Sequence, residues 1–174
     1  TYELFRAHFG YPSRKSNEGK EVGALKGYIN HLQSLRKNNN HLCVSFDSTV
    51  ESFRNQLFTE YKSSNHIDPE ILQQFSLAEE VTELLGITLL SMKEYEADDG
   101  IASVCSLFEN KFNKIIIGSL DKDLMQCVKK DKIIMYSTRY KNFTNENGVF
   151  EKFGVSPEQI PDFLALIGDS SDGI

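Results

Sequence analysis

Short, continuously apolar runs alternate along this chain with longer segments of helical spacing, and that alternation is the strongest constraint on its fold. Leu42-Cys43-Val44-Ser45-Phe46, Ile87 to Leu90, Ile115-Ile116-Ile117 and Ile133 to Tyr136 read as strands, 115–117 being the most buried by composition. Between them, Val22, Leu25, Ile29, Leu32 and Leu35 give residues 21–37 a helical period. Residues 69–85 predict a second helix, with Asp68 as its cap, Pro69 in its first position and Gly86 at its end. A third covers 97–110, with Ala97, Ile101, Val104, Cys105 and Phe108 turned inward. Ser156-Pro157-Glu158-Gln159 reads as a capping box, and 161–167 as a further short helix. Such alternation implies an α/β domain with a mostly parallel central sheet flanked by helices. Strands without polar alternation fit a sheet covered on both faces. In these sheets ligands sit at the carboxyl ends of the strands.

The 174 residues fit one domain, 1–174. No apolar run approaches the roughly 18–20 residues of a membrane span, and no signal-peptide pattern opens the chain, so an intracellular protein without membrane contact is expected. The first residue is not Met, so an N-terminal piece is expected to be missing. Cys43, Cys105 and Cys127 are far apart in sequence and His8, His31, His41 and His66 are scattered, which predicts inert thiols and neither a disulfide nor a zinc site. With 25 acidic and 19 basic residues the net charge is −6, which by itself argues against nucleic acid as a partner.

The acids are not scattered. Asp47 follows the strand at 42–46, and Asp121 and Asp123 follow the strand at 115–117. Glu96, Asp98 and Asp99 open the helix after the strand at 87–90, and Asp169 and Asp172 lie just beyond the last apolar helix. Each has a plain alternative: capping for Asp47, a favourable helix dipole for Glu96, Asp98 and Asp99, and turn formation for the two remaining pairs. Together, eight like charges brought to one rim would repel unless cations neutralise them. Carboxylates without Cys or His suit Mg²⁺ or Mn²⁺. Eight are more than one ion needs, and two ions about 3.5–4 Å apart suit phosphoryl chemistry.

Tyr95-Glu96-Ala97-Asp98-Asp99, Ile117-Gly118-Ser119-Leu120-Asp121-Lys122-Asp123-Leu124, Phe153-Gly154-Val155 and Leu166-Ile167-Gly168-Asp169-Ser170-Ser171-Asp172 resemble, in order, blocks of the 5′-nuclease family. That family includes flap endonucleases and the 5′→3′ exonuclease domain of bacterial DNA polymerase I. Phe46-Asp47, Ser52-Phe53-Arg54 and Tyr61-Lys62 match its earlier blocks. The resemblance implies a PIN-like three-layer fold and metal-dependent hydrolysis of DNA near a 5′ end or at a 5′-flap junction, by a monomer. It assigns Glu96, Asp98, Asp121 and Asp123 mainly to a first metal ion and Asp169 and Asp172 to a second. Asp47 and Asp99 act directly or through water. It makes 54–62 the start of a helical arch, with Lys62 on the scissile phosphate, Arg54 steering the strand and Tyr61 stacking a base.

Three departures stand out. The family's first strand and its terminal Asp are absent, the chain stops at Ile174 where a helix-hairpin-helix is expected, and Asn65 and Gly173 replace a commonly basic residue and a common Asn. The departures keep two alternatives open, a binding module of the same fold without catalysis and a PIN-type ribonuclease. The net charge then reads differently. Without the eight acids, 25 − 8 = 17 acidic residues face 19 basic ones. Lys129-Lys130 with Lys132, and Arg139 with Lys141, form groups able to meet phosphates.

Overall fold

The apolar period of 21–37 becomes a helix, α2 (Gly23–Asn38), in a computed structural model of the protein that describes residues 1–49, 51–58, 61 and 68–168. The chain divides into two units, Thr1–Ala97 and Asp98–Ile174. In the first, α1 (Tyr2–Gly10) packs on α2, and the contact turns on small residues. A Cβ on Gly27 would stand 2.7 Å from the Tyr11 ring and 3.0 Å from the Ala7 Cβ, so only glycine allows this approach without a shift. After α2 come β1 (Cys43–Asp47), α3 (Phe53–Leu57), α4 (Pro69–Leu84) and β2 (Thr88–Met92). β1 and β2 pair in parallel, with Asp47 opposite Met92. Leu4, Tyr28, Leu32, Phe46, Ile71, Phe75, Ala78 and Ile87 form the core.

The helix signals of α4 act as its sequence indicates. Asp68 accepts from the Glu70 N–H at 2.8 Å, Pro69 opens the helix, and Gly86 follows it with φ +68°. α2, by contrast, has no side-chain cap of its own. Its Leu25 N–H instead donates to Oε1 of Gln74 at 3.0 Å, while Gln74 Nε2 donates to the Glu70 carbonyl at 3.1 Å. Gln74 is fully buried, so α4 supplies the missing acceptor from inside the core. Gln74→Leu should strand the Leu25 N–H and cost about 1–3 kcal/mol. Urea unfolding measures this directly, and an unchanged midpoint would count against it. Nearby, Thr82 Oγ1 donates to the Ala78 carbonyl at 2.6 Å, so the Tyr28 hydroxyl must be the donor in its 2.7 Å bond to Thr82. Burial pushes the Tyr28 phenol up to about 12.

The second unit runs from α5 (Ala97–Phe108) through β3 (Ile115–Gly118), a 3₁₀ turn at Asp123–Cys127, β4 (Ile133–Ser137), β5 (Asn142–Thr144), α6 (Glu146–Phe153) and α7 (Ile160–Ile167). β3 and β4 are parallel and β5 is antiparallel to β4, so pairing over the described strands is mostly parallel, as expected. Cys105, Ile117, Leu124, Met125, Val128, Ile133, Met135, Val149 and Ile160 form this unit's core. The burial order of the strands departs from the expectation. Ile116 is 44% exposed, whereas Ile133, Ile134 and Met135 of β4 are all buried. Ile134, in register with Ile116 on the same face, is buried in the middle strand of the described sheet, whereas Ile116 sits on the outer strand β3, a difference that an all-apolar sequence does not reveal. Cys43 is exposed, Cys105 is buried and Cys127 is intermediate between the two in exposure. No described helix is long and apolar enough to cross a membrane.

Candidate active site

The first unit brings two of the expected acids to the carboxyl end of its sheet. Asp47 is the last residue of β1, and its N–H is held by Thr1 Oγ1 at 2.8 Å. Its Oδ1 accepts from the Ala97 N–H at 2.7 Å. Asp47 therefore does cap a helix, but one that begins 50 residues later, and the bond sets it beside Glu96.

Glu96 is enclosed by donors. Ser52 Oγ donates to its Oε1 at 2.9 Å, and Arg54 Nη1 lies 3.4 Å from the same oxygen. Tyr61 donates its phenol to Oε2 at 3.2 Å. The Arg54 guanidinium also sits over the Phe53 ring, 4.8 Å from its centroid. Arg54 and Tyr61, expected to face a nucleic-acid strand, are thus both turned toward the Glu96 carboxylate. Ser52 and Asn55, which complete this environment, did not figure among the expected site residues. Their signal was the Ser52-x-x-Asn55 spacing, a capping box in which Asn replaces the usual Glu or Gln.

In the second unit the loop after β3 holds Asp121 and Asp123. The Asp121 N–H donates to Ser119 Oγ at 3.0 Å, and Asp121 Oδ1 accepts from the Asp123 N–H at 3.0 Å. Asp98 and Asp99 occupy the first turn of α5, where the helix dipole favours negative charge. The Cys105 hydrogen bond lowers the Cys127 thiol from its ordinary value, against burial and the nearby Asp98 charge. Cys127 and Cys105, distant in sequence, are neighbours here. The hydrogen bond between them, with burial, pushes the Cys105 thiol up. Of the basic groups, Lys129 is engaged by Glu109 at 2.7 Å, and Arg139 stacks on the exposed Tyr140.

The expected eight acids therefore divide. Asp47 and Glu96 share one sheet end, and Asp98, Asp99, Asp121 and Asp123 belong to the other unit. Lys62, Asp169 and Asp172 lie outside the described residues, as do Asn65 and Gly173. Among the described residues, no three acidic, histidine or cysteine side chains stand close enough to hold an ion. The donor chemistry is nonetheless uniform, all carboxylate oxygen, which fits hard divalent cations.

Compared with known families, residues 1–154 match the 5′-3′ exonuclease, N-terminal resolvase-like domain. The chain belongs to this family. A 5′-3′ exonuclease of Aquifex aeolicus is 36% identical over 174 residues, covering 98% of this chain and 60% of that protein. A DNA polymerase I of Mycobacterium bovis is 35% identical over 98% of this chain but only 20% of that protein. The chain thus spans about three fifths of the exonuclease relative's length. Among solved structures, bacteriophage T5 D15 protein co-crystallised with metal ions superposes with a TM-score of 0.74 at 21% identity, over 86% of this chain and 60% of that one. A T5 flap endonuclease variant in a complex with DNA and metal ions gives 0.71 at 23% identity, with the same two coverages. At these identities the superpositions establish the fold, and it is the PIN-like fold that the sequence blocks imply.

Proposed function

We propose that this member of the 5′-3′ exonuclease family is a divalent-metal-dependent 5′→3′ exonuclease and 5′-flap endonuclease that hydrolyses DNA phosphodiesters with two Mg²⁺ or Mn²⁺ ions. The observation that carries the reading is the family match over residues 1–154. Metal ions and DNA in the T5 complex support the choice of cofactor and substrate. Glu96, Asp98, Asp121 and Asp123 would hold one cation and Asp169 and Asp172 the other. Asp47 spends Oδ1 on Ala97, which leaves Oδ2 as its ligand atom or as an acceptor for an intervening water. When bound, such ions lower the pKa of a water and stabilise charge on the leaving oxygen.

The chain's own residues supply position and charge. Ser52, Arg54 and Tyr61 fix the Glu96 carboxylate, the Asp121 side chain orders the Asp123 backbone, and Lys62 offers a positive charge to the phosphate being cut. Arg54 and Tyr61 meet the single strand when Glu96 is engaged by metal. The protein acts as an intracellular monomer on DNA with a 5′ end or 5′-flap.

The test is cleavage of a 5′-flap by the full-length protein, with DNA and RNA flaps of one sequence in parallel. The DNA flap should be cut near its junction with Mg²⁺ or Mn²⁺ and left intact in excess chelator. Cleavage in chelator would overturn the metal reading. Tight flap binding without cleavage at saturating metal would identify a binding module, and preference for the RNA flap would identify a ribonuclease.

A further inference from the structure

We infer that Ser52 is a positioning residue for Glu96, the member of a closed hydrogen-bonded ring that fixes the carboxylate for cation binding. The inference rests on the proposal above that Glu96 is a metal ligand. The ring is traced bond by bond. The Ser52 N–H donates to Asn55 Oδ1 at 2.9 Å, and Asn55 Nδ2 donates to the Tyr61 carbonyl. The Tyr61 hydroxyl donates to Glu96 Oε2 at 3.2 Å, and Glu96 Oε1 accepts from Ser52 Oγ at 2.9 Å, which closes the circuit.

Ser52 is the point at which the ring is directed. Its oxygen accepts from the Arg54 N–H at 3.3 Å as the cap of α3, so its single proton is aimed at the carboxylate. It is also buried, one of few buried polar residues among those described, and water does not substitute readily for its proton. Glu96 immediately precedes α5 and has a long flexible side chain, and a ligand carboxylate gains affinity when its rotamer is fixed before the ion arrives. Arg54, whose side chain is 32% exposed, adds positive charge 3.4 Å from the oxygen that Ser52 fixes.

Mn²⁺ binding to the full-length protein, followed by the paramagnetic resonance signal of the free ion, separates this role from a structural one. Ser52→Gly removes the hydroxyl but keeps a residue that suits an N-cap, so the fold should persist. The variant should bind Mn²⁺ at least about tenfold more weakly, with kcat reduced at fixed Mn²⁺ and KM for the flap unchanged. Ser52→Thr, which retains the hydroxyl, should restore both. Mn²⁺ affinity in Ser52→Gly equal to that of the unmodified protein would overturn the inference while leaving the Glu96 assignment standing. Unchanged Mn²⁺ affinity in Glu96→Gln would instead remove the assignment on which it rests.

Discussion

Asp121→Ala is expected to lower 5′-flap cleavage about a thousandfold, equivalent to about 4 kcal/mol of transition-state stabilisation. The size follows from the proposed role, because a lost carboxylate ligand removes charge at the point where it must be neutralised. The fold should survive. Asp121 is exposed, and its side chain accepts from the Asp123 N–H. Loss of such a cap costs about 1 kcal/mol, far less than the kinetic effect. Asp121→Asn sharpens the experiment, since its amide oxygen can keep the bond to Asp123 while the charge disappears. Both variants should show a similar loss of kcat, and Asp121→Asn should unfold at the temperature of the unmodified protein. A near-normal rate in Asp121→Asn would mean that the Asp121 charge is not used in catalysis.

The position of Asp121 and Asp123 just beyond the carboxyl end of β3 is legible in the sequence, because a short apolar run followed by Asp-x-Asp is a local signal. The same holds for β1, β2, α2, α4 and α5, whose periods or caps are local. The Ser52–Glu96 bond was not legible, because its partners are 44 residues apart and the local pattern shows only a capping box. Capping by Asp47 is a local possibility in the sequence, but the N–H it caps is 50 residues away, so the sequence does not show that this bond sets Asp47 beside Glu96. The Cys105–Cys127 contact was hidden for the same reason, since α5 and the 3₁₀ turn meet only in the folded unit. Ile116 shows the converse failure. An uninterrupted apolar run reports hydrophobic content, and it does not report whether the strand lies at the side or in the middle of its sheet.

Phe46→Ala should be the most destabilising single change in the first unit, at about 3–5 kcal/mol. Phe46 is fully buried and meets two other rings edge-on, Tyr28 with centroids 6.0 Å apart at 89° and Phe75 at 6.0 Å and 75°. Phe75 in turn meets Phe5 at 5.8 Å, so the cavity would open at the middle of an aromatic chain joining α1, α2, β1 and α4. Against a typical domain stability of about 5–15 kcal/mol this is a large fraction, and urea unfolding should register it as a lowered midpoint. The position also links stability to the site, because the next residue is Asp47. Weakened packing beneath the end of β1 should loosen the Asp47–Ala97 bond and with it the placement of Glu96. Phe46→Leu separates the two effects. It fills most of the volume and should cost less than half as much as alanine, so activity well below its unfolding temperature should stay close to normal. If Phe46→Leu lost cleavage as severely as Phe46→Ala while remaining folded, the aromatic contact itself, and not the packed volume, would be what holds Asp47 in place.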